Sequence, residues 1–459
     1  MGWVGCEVQR SIAGGLFVAL LFLVAAWLGC SKVYIGSRER FIYVLHLSSE
    51  HYMNIKENSP FTPGSPVPVE LFVGRSKQIK EILRYVEQTK YGKQENVFLS
   101  GERGIGKSSL ETFLCHMAVT KMDVIGIHVF LGGVSSLEET VRRILDQLLK
   151  ETRGQEWFED IKQLFGKHIR EVGLFGVSVS FVPPEQDLRE LVRSFSKVLD
   201  NLLQKIDGKK AGLFIALDDI NGLADKEEFA NWYKSFVDEV ATHYENFPVF
   251  IMLTGLPEKR DALATHQPSL MRIFRVTEIE KLSDEEIEDF LSAAFEKANI
   301  KVEPDAMDLM VTYSSGLPIL MHEIGDATFW VDDDGVIDED DAITGVLAAA
   351  EEVGKKYLDP KVYRAIRSKS YRSILKKLGE GEISREFIKK DVEARLNESE
   401  KKVFHNFLRR MKDLGVIESD LERGKGAYRF VNEIYPIYIW MKSEGLKPRR
   451  KKSMIQPTP

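Results

Sequence analysis

Asn96–Leu114, NVFLSGERGIGKSSLETFL, is the stretch whose reading decides the fold. A short apolar run (Val97 to Leu99) reads as a strand, a glycine-rich turn closes in Gly106-Lys107-Ser108, and a helical pattern follows. Gly101, Gly106, Lys107 and Ser108 meet the spacing GxxxxGK[ST] in that strand-turn-helix context, which marks a cradle for nucleotide phosphates. Gly101, Gly104 and Gly106 are expected to take dihedrals closed to other residues, so that the N–H groups of the loop, those of Glu102, Arg103, Ile105 and Ser109 included, turn inward around an anion. The helix opening near Lys107 adds unpaired amides and the positive end of its dipole. Lys107 is expected to reach the β- and γ-phosphates, and the Ser108 hydroxyl to ligate Mg²⁺.

Working outward, a second motif lies about 110 residues downstream. In GLFIALDDI (Gly212–Ile220), five apolar residues predict a buried strand that delivers Asp218 and Asp219 to its carboxyl end, where ligands sit in open parallel sheets. Asp218 suits the Mg²⁺ shell, and Asp219 suits a base that takes a proton from the attacking water. A further strand in FPVFIMLTGLPE is expected to expose Thr254 at its end, where a hydroxyl orients water or senses the γ-phosphate; a simple strand-end cap is the alternative. With VIGIHVF (Val124–Phe130) and helical patterns at Ile79–Val86, Leu137–Leu149 and Leu188–Leu203, the order is strand and helix in alternation. That order predicts an α/β P-loop sandwich with a parallel sheet over residues 71–280. GLFGVSVSFVPP, with Val177, Val179 and Phe181 in alternation, predicts a hairpin arm inserted on this core.

The 459 residues allow about three domains. A net charge of −7 gives no global pull toward nucleic acid. The three cysteines, Cys6, Cys30 and Cys115, form no CxxC pair, which excludes a disulfide framework or a zinc cluster. Residues 12–30 carry no charge and would reach about 28 Å as a helix, one hydrocarbon core. Within the extension 1–52 this is a candidate transmembrane helix, and its flanks favour an anchor with a cytoplasmic body. A cleaved signal peptide and a natural start at Met53 are the competing readings. Pro60, Pro63, Pro66 and Pro68 with Gly64 predict an extended linker over 53–70.

Beyond the sandwich the pattern is helical. Ser283 and Glu286 stand in capping-box spacing, Pro304 opens a helix, Gly316 and Pro318 punctuate, and a helical lid is expected over 281–358. The acidic run Asp332–Asp341 lacks the glycine and glutamate of a calcium loop and reads as a solvated turn with Asp338 near a cap. Residues 359–442 predict helices at 360–378, 384–396 and 399–414 and two strands around Arg423-Gly424-Lys425-Gly426, a winged helix. Its third helix is expected to turn Lys401, Lys402, His405, Arg409, Arg410 and Lys412 to solvent, and with Arg423 and Lys425 these suit DNA phosphates; a basic solvated face is the alternative. The basic tail 443–459 carries KPRRKK.

Together FVGR (Phe72–Arg75), GERGIGKSS, LFIALDDI, the strand ending at Thr254, the lid and the winged helix resemble the AAA+ superfamily, near archaeal origin-recognition-like and STAND-type ATPases. The resemblance covers about residues 67–442 and implies that Val73-Gly74-Arg75 lies by the adenine of ATP, that Asp218 is the Walker B acid, and that Thr254 is sensor 1. It also implies that Arg272 in PSLMRIF acts as an arginine finger across the interface of a homo-oligomer. Two departures stand out: Asp219 replaces the usual glutamate, and the lid offers Gly316-Leu317-Pro318, similar to a STAND GxP element, with no sensor-2 arginine. Both point to a slow nucleotide-dependent switch rather than a fast motor. A DNA-binding initiator-like protein and a membrane-tethered scaffold without turnover are the alternatives. The sequence names no protein partner.

Overall fold

The computed structural model describes residues 56, 58–172, 178–380, 383–421 and 423–444. The candidate span 12–30, Met53, Val177 and the basic tail 447–452 lie outside them. No helix among the described residues is long and apolar enough to cross a membrane.

Long apolar runs become strands that are covered on both faces. β1 (Glu95–Ser100), β2 (Ile125–Phe130), β5 (Leu213–Asp218), β6 (Val249–Gly255) and β7 (Arg275–Glu278) form one parallel sheet in the order β2-β5-β6-β1-β7. Val97, Leu99, Phe214, Ala216, Phe250 and Met252 face α1 (Ser76–Thr89) and α2 (Lys107–Met122) in one apolar layer. Phe98, Ile127, Val129, Ile215, Leu217 and Ile251 face α3 (Leu137–Thr152) and the helices 185–206 and 227–243 in the other. This is the three-layer P-loop sandwich. Because β6 lies between β1 and β5, the phosphate loop and the two aspartates leave the sheet two strands apart, both at its carboxyl edge.

Local chemistry sets most element ends. The Ser136 hydroxyl accepts from Glu139 N–H and starts α3. The helix expected at 188–203 is two, Glu185–Arg193 and Phe195–Ile206, because Ser194 leaves helical geometry. The hairpin is present: β3 (Ile169–Val172) pairs antiparallel with β4 (Ser178–Phe181), and Val179 and Phe181 are buried.

The lid helices are Asp284–Lys297, Pro304–Ser314, Pro318–Val331 and Glu339–Val353. Ser283 and Glu286 make the expected capping box, and Asp338 accepts from Asp341 N–H at the head of the last helix. Further on, the run expected at 360–378 is broken. Pro360, lacking an N–H, falls in a wide-turned helix Gly354–Tyr363, and Ser368 then caps Lys369–Leu378. The helix expected at 384–396 shrinks to Lys389–Ala394, because Glu386–Ile388 pairs with Ala427–Phe430, Phe387 stacking on Tyr428. Ile417–Ser419 pairs on the other side of the same central strand. Between them Glu398–Asp413 buries Phe404, Phe407, Leu408 and Met411 and exposes the basic positions named above. The order is helix, strand, helix, helix, strand, strand.

The proline-rich stretch is extended up to a short turn at Val69–Leu71, as expected, but it is packed rather than free. Phe61 is buried between Phe290 and Phe295 of the lid and lies against Gly325. One apolar core runs from Phe61 through the lid to Met441. The segment 60–68 is therefore a strap.

Candidate nucleotide site

The loop after β1 has the geometry of an anion cradle. Gly104 and Gly106 take φ of 76° and 92°, where a side chain would be strained. Gly101 does not; its need is space, since a Cβ there would stand 3.0 Å from Ile105 Cγ2. Glu102 and Arg103 are exposed and Ile105 is buried under the loop. Lys107 Nζ donates to the carbonyls of Gly101 (2.7 Å) and Glu102 (2.8 Å). Burial lowers its pKa from the usual lysine value, against the pull of Asp218.

On one side of the loop the carboxyl ends of β5 and β6 meet the first turns of α2. The Ser108 hydroxyl lies beside the Asp218 carboxylate, which suits a shared divalent cation. Burial would raise the Asp218 pKa, but the His128 ring and the adjacent Ser108 hydroxyl hold it below the usual value. Asp219 sits at φ 60°, and its Oδ1 accepts from the Asn221 amide. Thr254, expected to be exposed, is fully buried: Glu111 reaches it from α2, and the Thr254 hydroxyl donates to Glu111 Oε1.

Glu111 and His128 were not singled out in the sequence, yet they close this side. Glu111 Oε2 lies 3.0 Å from His128 Nε2, which is 3.4 Å from Asp218 Oδ2. Thr112 spends its proton on the Ser108 carbonyl (2.9 Å), so it must accept from His128 Nδ1 (3.2 Å). With Nε2 facing two carboxylates, both ring nitrogens are donors and His128 is an imidazolium. Burial opposes that charge, but the two acids raise its pKa to about 9. Burial, with Asp218 beside it, raises Glu111 to about 7. A polar residue inside the apolar strand VIGIHVF was the available signal.

On the other side, the strap and lid close over α2. Val67 N–H donates to Ser109 Oγ (3.1 Å) and Thr62 N–H to His322 Nδ1 (3.1 Å). Pro318 opens its helix against Gly106, its Cγ 3.4 Å from where a Cβ there would stand, and Ile319 N–H meets the Gly104 carbonyl at 3.4 Å. Arg75 is a brace: at φ 59° its N–H donates to Glu286 (2.8 Å), and its guanidinium donates to the carbonyls of Ile105 and Glu280. Gly74 packs on Glu286, which leaves no room for a Cβ. An apolar space lined by Val67, Leu71, Val73, Phe290 and Met321 adjoins the loop. Arg272 is not among these groups. It is exposed ahead of β7, toward the amino ends of the strands, whereas the loop is at their carboxyl ends.

Residues 71–246 match the family described as AAA ATPase domain. The solved structure of Aeropyrum pernix ORC2, in ADPNP-ADP complexes, is similar over 84% of this chain and 96% of its own at 12% identity, with a TM-score of 0.53. The Walker-type ATPase of Pyrococcus abyssi covers 84% of this chain and 99% of its own at 16% identity and a TM-score of 0.47. The Thermotoga maritima RuvB Holliday junction branch migration motor gives 82%, 96%, 13% and 0.40. No curated protein matches the chain. The family match covers the sandwich alone, and the ORC2 likeness agrees with it in fold.

Proposed function

We propose that this chain binds ATP with Mg²⁺, hydrolyses it slowly to ADP and phosphate, and uses the bound nucleotide to hold lid and core together. The observation that carries the reading is the placement of Ser108 and Lys107 beside Asp218: a hydroxyl, a carboxylate and a lysine converge where the P-loop motif requires them. The bound cation would neutralise phosphate charge. Ser108 and Asp218 would hold it, and Lys107 would exchange its loop carbonyls for phosphate oxygens. Asp219 is the candidate base, and its short side chain with one oxygen held by Asn221 supports slow turnover. Pro318 and Ile319 touch the loop directly, so phosphate contacts bias the lid. The test is phosphate release and ATP binding by the full chain. Binding is expected to fall about a hundredfold in Lys107→Ala, and turnover to vanish in Asp218→Asn. Binding unchanged in Lys107→Ala would overturn the reading.

A second reading has one observation behind it. Ser368, Arg367, Arg409 and Arg410 line an open groove of about 520 Å³ beside the helix Glu398–Asp413, a surface suited to a nucleic-acid backbone on a winged helix. Other expected cations are already engaged: Arg423 pairs with Glu386, and Lys401 with Glu398. Duplex binding that is unaffected by Arg409→Glu with Arg410→Glu at low salt would remove it. Exposed Arg272 is left for contact between copies of the chain, and loss of turnover in Arg272→Ala only where the chain self-associates is the expected sign.

A further inference from the structure

Five buried side-chain polar atoms among the described residues have no hydrogen-bond partner, and two of them are neighbours: Thr62 Oγ1 and His322 Nε2. Leaving a buried polar atom without a partner is costly, so a pair of them invites a ligand. His322 is 3% exposed. Burial lowers its pKa to about 4, which keeps the ring neutral. Thr62 N–H donates to Nδ1, so the single ring proton resides on Nε2, and that atom is a donor. Thr62 adds a hydroxyl that both gives and accepts.

Both residues line a cavity of about 220 Å³ whose other walls include Gly106, Lys107 and Ser109. This is several times the roughly 30 Å³ that one water occupies. None of the other three unpartnered atoms lies on it. The cavity therefore borders the phosphate loop on one flank and, through Val67, Gly106, Ser109 and Pro318, the apolar space on the other. The apolar space measures only about 30 Å³, so a flat base enters it only as Val67, Leu71, Phe290 and Met321 move apart. What joins a base to a phosphate chain is a sugar with two adjacent hydroxyls, which match one N–H donor and one hydroxyl.

We propose that His322 and Thr62 form a subsite for the ribose diol, so that the chain selects ribonucleotides over their deoxy counterparts. The proposal rests on the nucleotide reading above. It joins the strap and the lid, which are 260 positions apart in sequence, through one ligand group.

The experiment measures equilibrium affinity of the full chain for ATP and for 2′,3′-dideoxyATP in wild type, His322→Phe, Thr62→Val and Lys107→Ala. Thr62→Val keeps the backbone bond to His322 and tests the subsite even if His322→Phe misfolds. In wild type, ATP is expected to bind about tenfold more tightly than the dideoxy analogue, one to two hydrogen bonds' worth. In either subsite variant the ratio is expected to fall toward one, chiefly through weaker ATP binding. Lys107→Ala is expected to weaken both nucleotides alike. A wild-type ratio near one, or a ratio unchanged in both folded subsite variants, overturns the subsite while leaving nucleotide binding intact. Absence of ATP binding in wild type overturns the nucleotide reading itself.

Discussion

The two flanks of the phosphate loop are built on opposite principles. On the Asp218 side, Asp218, His128, Glu111 and Thr254 satisfy one another in a chain of hydrogen bonds drawn from α2, β2, β5 and β6. On the His322 side, the strap and lid bring two polar atoms to a cavity and leave them unpaired. The first flank is preorganised by the sheet and costs nothing further to assemble when charge arrives. The second is assembled from segments remote in sequence, and its polar atoms are completed from outside. The lesson is that rigidity and ligand demand are divided between flanks.

Removing Glu111 tests that division most severely. Glu111→Ala leaves the His128 imidazolium with Asp218 as its one carboxylate, strands the Thr254 hydroxyl, and is expected to destabilise the fold by about 3–5 kcal/mol, read by urea unfolding, with Glu111→Gln costing less than half. Thr62→Val, on the other flank, removes a buried hydroxyl that has no partner and is expected to raise stability by about 1 kcal/mol; a loss equal to that of Glu111→Ala would end the comparison. Next in size, Phe61→Ala is expected to cost about 3 kcal/mol, because Phe61 fills the lid core between Phe290 and Phe295. A proteolysis assay should find the strap released and the lid loosened with it.

The third prediction concerns pH. The His128 pKa is raised from 6.5 to about 9, so its contribution is fully present below pH 6.5 and is lost as pH rises through 9. Stability is therefore expected to fall by at most about 3 kcal/mol between pH 6.5 and 9. Thermal melts across that window should lose most of this slope in His128→Gln, and an unchanged slope would disconnect His128 from the Asp218 flank. The smallest effect is Ser109→Ala, which removes the acceptor for Val67 N–H. It is expected to cost about 1 kcal/mol and to weaken nucleotide binding only a few-fold, seen by calorimetry.

The sandwich was legible because strands covered on both faces must be continuously apolar, as LFIAL and VFIML are, and because the phosphate loop has a spacing that chemistry enforces. Glu111 was not legible: on a helix an acid ordinarily reads as solvent-facing, and only the convergence of β2, β5 and β6 over α2 buries it. Thr254 was assigned to the right strand end but not to its partner, for the same reason. The proline-rich stretch had the composition of a linker, and nothing local to it announces that Phe61 belongs to a core formed 230 residues later. Glu386–Ile388 is three residues long, too short for a period to show.

The strap has a mechanical consequence. A lid joined to its base by one hinge swings freely, but this one is hinged after β7 and stitched down again by Phe61, upstream of the core in the chain. Opening must either pull that ring from its socket or drag residues 61–67 off Ser109. Tension on the segment before Ser59 would thus be felt first at the lid and only afterwards at the phosphates.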